Sequence, residues 1–192
     1  MNMFRRFLVC FCLLSLCLAP QAGAQNQPPK PKKCPNTMIL TVDGKQLHVS
    51  QYRGKVVMLV MFLTSCHDCL QTLQLMQKFQ NDYAARGLQV LAISLDESSA
   101  NLLPYQQRYR FPFPMGHLDK AGAIELASLA KDAHPFVPLV MFVDWMGNVR
   151  FKYEGNDPIF RDADKNLRAI ATGLLQQAAE KKGPQYNIAP AK

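Results

Sequence analysis

Cys66 and Cys69 stand two residues apart, with His67 and Asp68 between them. This spacing lets two sulfurs meet within one helical turn and close a small disulfide ring. If Cys66 opens a helix, the free N–H groups and the positive end of the dipole there stabilise its thiolate. Such a thiolate attacks a substrate disulfide, and Cys69 then resolves the mixed disulfide from inside the first turn; run backwards, the same steps deliver a disulfide to a reduced substrate. A protonated His67 would favour the thiolate and a more oxidising pair, while Asp68 in the same turn opposes it, so these two residues leave the direction of electron flow open. His67 reads equally well as a solvated loop residue. Other readings compete: an inert structural bridge, half of a metal site, or a peroxide-reducing thiol. A bridge across one turn constrains little chain. Cys34 and the histidines His48, His67, His117 and His134 supply no second close pair of ligands, so no metal is expected, and the thiols themselves carry the electrons without a cofactor.

The surroundings of the pair give it meaning, because C-x-x-C alone is common. Val56 to Leu63 is an almost unbroken apolar run, which suits a central strand buried on both faces. From His67 the period changes: Leu70, Leu73, Met76, Phe79 and Tyr83 recur every three or four residues, predicting an amphipathic helix that ends near Arg86-Gly87. Upstream, the apolar runs 38–41 and 45–49 flank Val42-Asp43-Gly44, a hairpin signal. Downstream come a strand over 88–95, a helix over 98–108 and a helix over 120–131. Pro138 introduces a strand over 139–143, Trp145-Met146-Gly147-Asn148 is a turn, and 149–153 is its antiparallel partner. A helix over 162–182 carries Leu167, Ile170, Leu174, Leu175 and Ala178 on one face. The order describes an α/β fold, a central mixed β-sheet flanked by helices with a short N-terminal hairpin.

The ends read differently from the centre. Arg5 and Arg6, the apolar run 7–18 and the small residues Ala22-Gly23-Ala24 have the layout of a signal peptide over 1–24, too short to be favoured as an uncleaved membrane anchor. A Pro/Lys-rich linker over 25–37, a domain over 38–182 and a flexible tail over 183–192 complete the expected layout. Removing the leader takes two charges from the formal net charge of +8 and three of the six cysteines, leaving Cys34, Cys66 and Cys69. The densest basic run, Lys30, Lys32 and Lys33, alternates with prolines and carries no aromatic residues to stack on bases, which argues against nucleic acid as a partner. Cys34, placed before the domain, is expected to be unpaired in a monomer and open to cross-linking into a dimer.

Arg53-Gly54-Lys55-Val56-Val57, the strand to Phe62, Cys66-x-x-Cys69, the segment 88–96, Phe113-Pro114 and Val137-Pro138 together resemble the TlpA/ResA-type branch of the thioredoxin-like superfamily over about 40–175. The resemblance implies an extracytoplasmic thiol-disulfide oxidoreductase with Cys66 as exposed nucleophile and Cys69 as resolving thiol. It makes Pro138, otherwise an ordinary strand-start residue, a cis-proline packed against the pair. Val137 would offer backbone hydrogen bonds to an extended substrate, and His67 would support the pair. The implied partners are protein thiols or disulfides outside the cytoplasm, and a membrane electron donor. Two departures bear on tuning: Ser65 stands where the family usually has Trp, and Asp68 where it usually has Pro. No acid lies in 56–63 to accept a proton from Cys69, which turns attention to Asp96 and Glu97. A peroxiredoxin-like thiol peroxidase, with Arg108 or Arg110 beside the thiolate, resembles P-x-x-x-T-x-x-C instead; here position 60 is Val60 and Thr64 stands one residue too close. A non-catalytic binding protein on the same fold is the third alternative.

Overall fold

Seven consecutive side chains, Val56–Phe62, are all buried, as a strand covered on both faces requires. A computed structural model of the protein describes residues 31–180. In chain order the strands are β1 (Lys32–Lys33), β2 (Ile39–Thr41), β3 (Gln46–Leu47), β4 (Val56–Phe62), β5 (Leu88–Ser94), β6 (Met115–His117), β7 (Leu139–Val143) and β8 (Asn148–Tyr153). The helices are α1 (His67–Tyr83), α2 (Leu102–Tyr109), α3 (Lys120–Leu126) and α4 (Ala163–Glu180), with short 3₁₀ turns between elements. The strands form a single mixed sheet in the order β1-β8-β7-β4-β5-β6-β2-β3. Strand β4 pairs in parallel with β5 and antiparallel with β7, so both its hydrogen-bonding edges are taken.

Alternation along β4 divides the core into two layers. Val56, Met58, Val60 and Phe62 face a cluster built from Leu73, Met76 and Phe79 of α1, Leu102 of α2 and Leu167, Ile170 and Leu174 of α4. Val57, Leu59 and Met61 face Val49 and the α3 residues Ala123 and Leu126. Each large side chain fully removed from water contributes about 1.5–3 kcal/mol, so the two faces of this one strand hold both helical layers in place. Arg168 clasps α4 to α1: it bonds Asp164 in its own helix, Asp82 and the Tyr83 hydroxyl across the gap, and lies over the Phe79 ring.

Several boundaries differ from the sequence reading. Lys32–Lys33, assigned to the linker, pairs antiparallel with β8, and Cys34 N–H donates to the Gly147 carbonyl. The edge of β8 is open to any extended chain, and a Pro/Lys run carries no side-chain pattern that announces such pairing. Strand β6 escaped the reading because Met115–His117 is too short to show alternation; it lies parallel to β5 and antiparallel to β2. Helix α3 ends at Leu126 rather than 131. Ser128 takes a left-handed φ of 50°, and Ser128 N–H to Glu125 O with Leu129 N–H to Ile124 O close a C-terminal cap. Without a glycine at that position, the stop has no sequence signature. The leader 1–24 and the tail 183–192 lie outside the described residues.

The β7–β8 turn is organised by Asp144. Its buried carboxylate accepts the N–H groups of Met146 and Asn148 and the Asn148 side-chain amide, with the buried Arg150 guanidinium at 3.5 Å. Asp144→Ala removes the acceptor from all of them and leaves the buried donors of the turn unmatched. The expected cost is about 1–3 kcal/mol, measured as a lower midpoint in urea unfolding.

Candidate active site

Strand β4 ends at Phe62, and four residues later the chain enters α1. Cys66 is the N-cap of that helix, with extended backbone angles (φ −86°, ψ 116°), and its Sγ accepts the Cys69 N–H at 3.2 Å. Cys66 and Cys69 are joined as a disulfide with their Cα atoms 5.2 Å apart. The two sulfurs are not equivalent. Cys69 is wholly buried in the α1-side cluster, whereas Cys66 is half-buried and sits at the surface end of the helix. Burial alone therefore distinguishes the two sulfurs.

His67 is exposed, and Gln71 Nε2 donates to His67 Nε2 at 3.1 Å, so the ring is held back along the helix toward residue 71. Asp68 is exposed; its carbonyl accepts the Thr72 hydroxyl, and among the described residues no cation pairs with its carboxylate. The negative charge of Asp68 in the first turn favours the helix through its dipole.

The Val137–Pro138 peptide is cis. Pro138 is buried and shares with Asp68, Thr72, Leu75, Gly155 and Phe160 the lining of a groove of about 420 Å³. Val137 packs against the cluster that contains Cys69. Its N–H and C=O take no part in the hydrogen bonds of the described residues, and Phe136, one residue earlier, is 53% exposed. Register explains the proximity: Leu139 of β7 pairs with Met61, so the cis-proline lies at the same end of β4 as the cysteine pair. Cys66, Cys69, Pro138 and Val137 are thus brought together at one end of the sheet.

Two residues of this region carry no motif. Gly155 has no room for a side chain: a Cβ there would come within 2.8 Å of Pro138 Cδ and of the Val137 carbonyl oxygen. Asp96 accepts the Thr64 N–H with both carboxylate oxygens at 3.2 Å. Of the two acids singled out after β5, Asp96 reaches the loop before the cysteines, and Glu97 is exposed. Arg110, weighed for a peroxidase, caps α2, and its carbonyl accepts from Gln77, eleven residues or ~16 Å along α1 from Cys66. Cys34 lies away from the pair, half-buried against the α3-side cluster rather than exposed, and burial pushes its thiol up to about 11. Among the described residues no three His, Cys, Asp or Glu side chains are grouped to hold a metal ion, and no helix is long and apolar enough to cross a membrane.

A mixed sheet between helical layers, with a disulfide at a helix N-terminus beside a cis-proline, defines a thioredoxin-like α/β protein. The same fold is seen in a thiol:disulfide interchange protein of the thioredoxin family from Chlorobium tepidum (TM-score 0.63, 23% identity, 76% of this chain and 97% of that one). A thioredoxin-like protein from Porphyromonas gingivalis also shares it (TM-score 0.60, 19% identity, 76% and 95%). Residues 31–152 match the AhpC/TSA family, and the chain belongs to it. Among curated relatives, the thiol-disulfide oxidoreductase ResA of Bacillus thuringiensis is 27% identical over 93 residues, 48% of this chain and 53% of the relative. The chain thus spans about half the length of the curated relatives it matches.

Gly155→Ala is expected to lower stability by about 1–3 kcal/mol by overpacking and to slow the reaction of the pair, because the clash falls on the cis-proline loop. Thermal unfolding and thiol-exchange rates check the two effects separately. Cys34 in the reduced native protein should resist iodoacetamide at pH 8, where a thiol of pKa about 11 is only ~0.1% thiolate. Timed alkylation read by mass spectrometry should place its adduct after that of Cys66, and in denaturant the lag should vanish.

Proposed function

We propose that the protein exchanges thiols for disulfides on protein substrates outside the cytoplasm. In the reducing direction the Cys66 thiolate attacks a substrate disulfide; one substrate sulfur leaves as a thiolate and the other is held in a mixed disulfide with Cys66. The Cys69 thiol loses its proton and attacks Cys66 Sγ, releasing the second substrate thiol and closing the Cys66–Cys69 disulfide. Two electrons pass from the pair to the substrate; the reverse sequence oxidises a substrate dithiol. The observation that carries this reading is the asymmetric disulfide, half-buried Cys66 capping a helix over fully buried Cys69.

The free backbone of Val137 supports a substrate bound as an extended segment beside the cis-proline. His67 supports the pair only by holding the first turn, since its ring turns toward Gln71. The export reading rests on the leader-like residues 1–24 and on the extracytoplasmic setting that the resemblance implies. We take the protein as a monomer, with its electrons supplied or removed by a separate redox partner.

Cys66→Ser should lower turnover of insulin or a small disulfide at least ~100-fold, and Cys69→Ser should retain the first attack and accumulate a mixed disulfide visible on non-reducing gels. Equal unfolding of both variants with no trapped adduct would mark the pair as a structural bridge. Peroxide consumption by the wild type far above that of free cysteine would support the peroxidase reading in place of exchange.

A further inference from the structure

We propose that Asp96 is a positioning residue for exchange at Cys66: its carboxylate holds the Leu63–Thr64 peptide and thereby sets where the nucleophile stands against the cis-proline. The proposal rests on the reading of Cys66 as the attacking thiol. Between the end of β4 and the start of α1 the chain leaves the sheet for Leu63, Thr64, Ser65 and Cys66. Its backbone there is held at Phe62 O by Leu95 N–H and at Leu63 O by Cys66 N–H. The Thr64 N–H is met by a side chain, Asp96, with both oxygens at 3.2 Å. A backbone donor meeting a charged acceptor makes a stronger bond than one meeting a neutral acceptor.

The acceptor is itself held from three directions. The Ser94 hydroxyl donates to Asp96 Oδ2 at 2.6 Å, and the Asp96 N–H donates back to Ser94 Oγ at 3.1 Å. The Asp96 carbonyl accepts from His117 Nε2 at 2.7 Å, which places a proton on that ring nitrogen and ties β6 into the same network. Tyr105 packs on Phe62, and its hydroxyl is pushed up to about 12 by burial, then Tyr109, then Asp96, so the carboxylate works beside a partly dry wall.

Register completes the arrangement. Phe62 pairs with Ser94 on one side, and Met61 pairs with Leu139 on the other. Asp96 and Pro138 therefore come off the two neighbours of β4 at the same end and bracket the loop that carries Cys66. Ser65 is exposed, so beside the two backbone bonds the Asp96 contact is the side-chain support of this loop. Sulfur attack on a disulfide needs the three sulfurs nearly in line, and misplacement by ~1 Å costs ~100-fold in rate.

The test uses the full chain in three measurements. In the wild type, hydrogen exchange at the Thr64 amide should be slow in both the oxidised and the reduced forms. Asp96→Ala should lower kcat for a small disulfide ~10- to 100-fold at nearly constant KM, and Asp96→Asn, whose amide oxygen still accepts the Thr64 N–H, should stay within ~3-fold of wild type. Free-chain exchange at Thr64 in the wild type overturns the proposal without any variant. So does wild-type kcat in Asp96→Ala, or an equal loss in Asp96→Asn. If Asp96→Ala does not fold, Thr64 exchange and Asp96→Asn decide. A wild type with no exchange activity fails the functional reading itself, a result distinct from a failure confined to the Asp96 variants.

Discussion

A strand with no face in water cannot leave its backbone groups unpaired, since each buried N–H or C=O without a partner forfeits about the free energy of a hydrogen bond. Strand β4 is such a strand: seven buried residues with β5 along one edge and β7 along the other. That requirement decides which segments lie beside it and at what register. Because β5 runs parallel and β7 antiparallel, the chain leaving β5 and the chain entering β7 meet at the same end of β4. These two segments bring Asp96 and the cis Pro138, and the loop between them, continuing from β4 itself, carries Cys66. The cysteine pair, the cis-proline and Asp96 are therefore concentrated where one buried strand runs out of partners.

Helix α1 supplies the asymmetry that a dithiol needs. Its N-cap position leaves Cys66 half-buried where the first-turn N–H groups point, while the same turn carries Cys69 into the core with Leu73 and Met76. Burial of Cys69 protects it from outside reagents but leaves it within reach of Cys66. His67 and Asp68 face solvent on the same turn and bear on the charge around the pair without covering it. With Ser65 exposed as well, the chain entering Cys66 is held by backbone bonds and by the Asp96 contact rather than by a large aromatic side chain.

Farther out, the two sheet edges are finished in different ways. At one, the Pro/Lys segment lays Lys32–Lys33 along β8 and sinks Cys34 toward the core; at the other, the β2–β3 hairpin covers β6. Covering an edge removes open backbone groups that would otherwise template pairing with another chain. The same pairing brings the third cysteine into the body of the fold, and this desolvated setting makes it a poor nucleophile at neutral pH.

The cysteine spacing, the long apolar run of β4, the helical period after His67 and the β7–β8 hairpin were legible in the residues, because each is a local pattern that burial on one or both faces imposes. The order of these elements was enough for the α/β class, and resemblance was enough to single out Pro138. Three things were settled only in the folded chain. The β1 pairing and the short β6 depend on an open strand edge elsewhere in the molecule, so no local period marks them. Gly155 matters because the chain leaving β8 turns back against Val137 and Pro138, contacts eighteen and seventeen residues away in sequence. Asp96 was one of two adjacent acids until the register of β5 on β4 aimed its carboxylate at Thr64. The sequence by itself determined that a cysteine pair would sit between a buried strand and a helix; tertiary structure decided which residues hold that junction, because their partners are supplied by strand register and not by spacing along the chain.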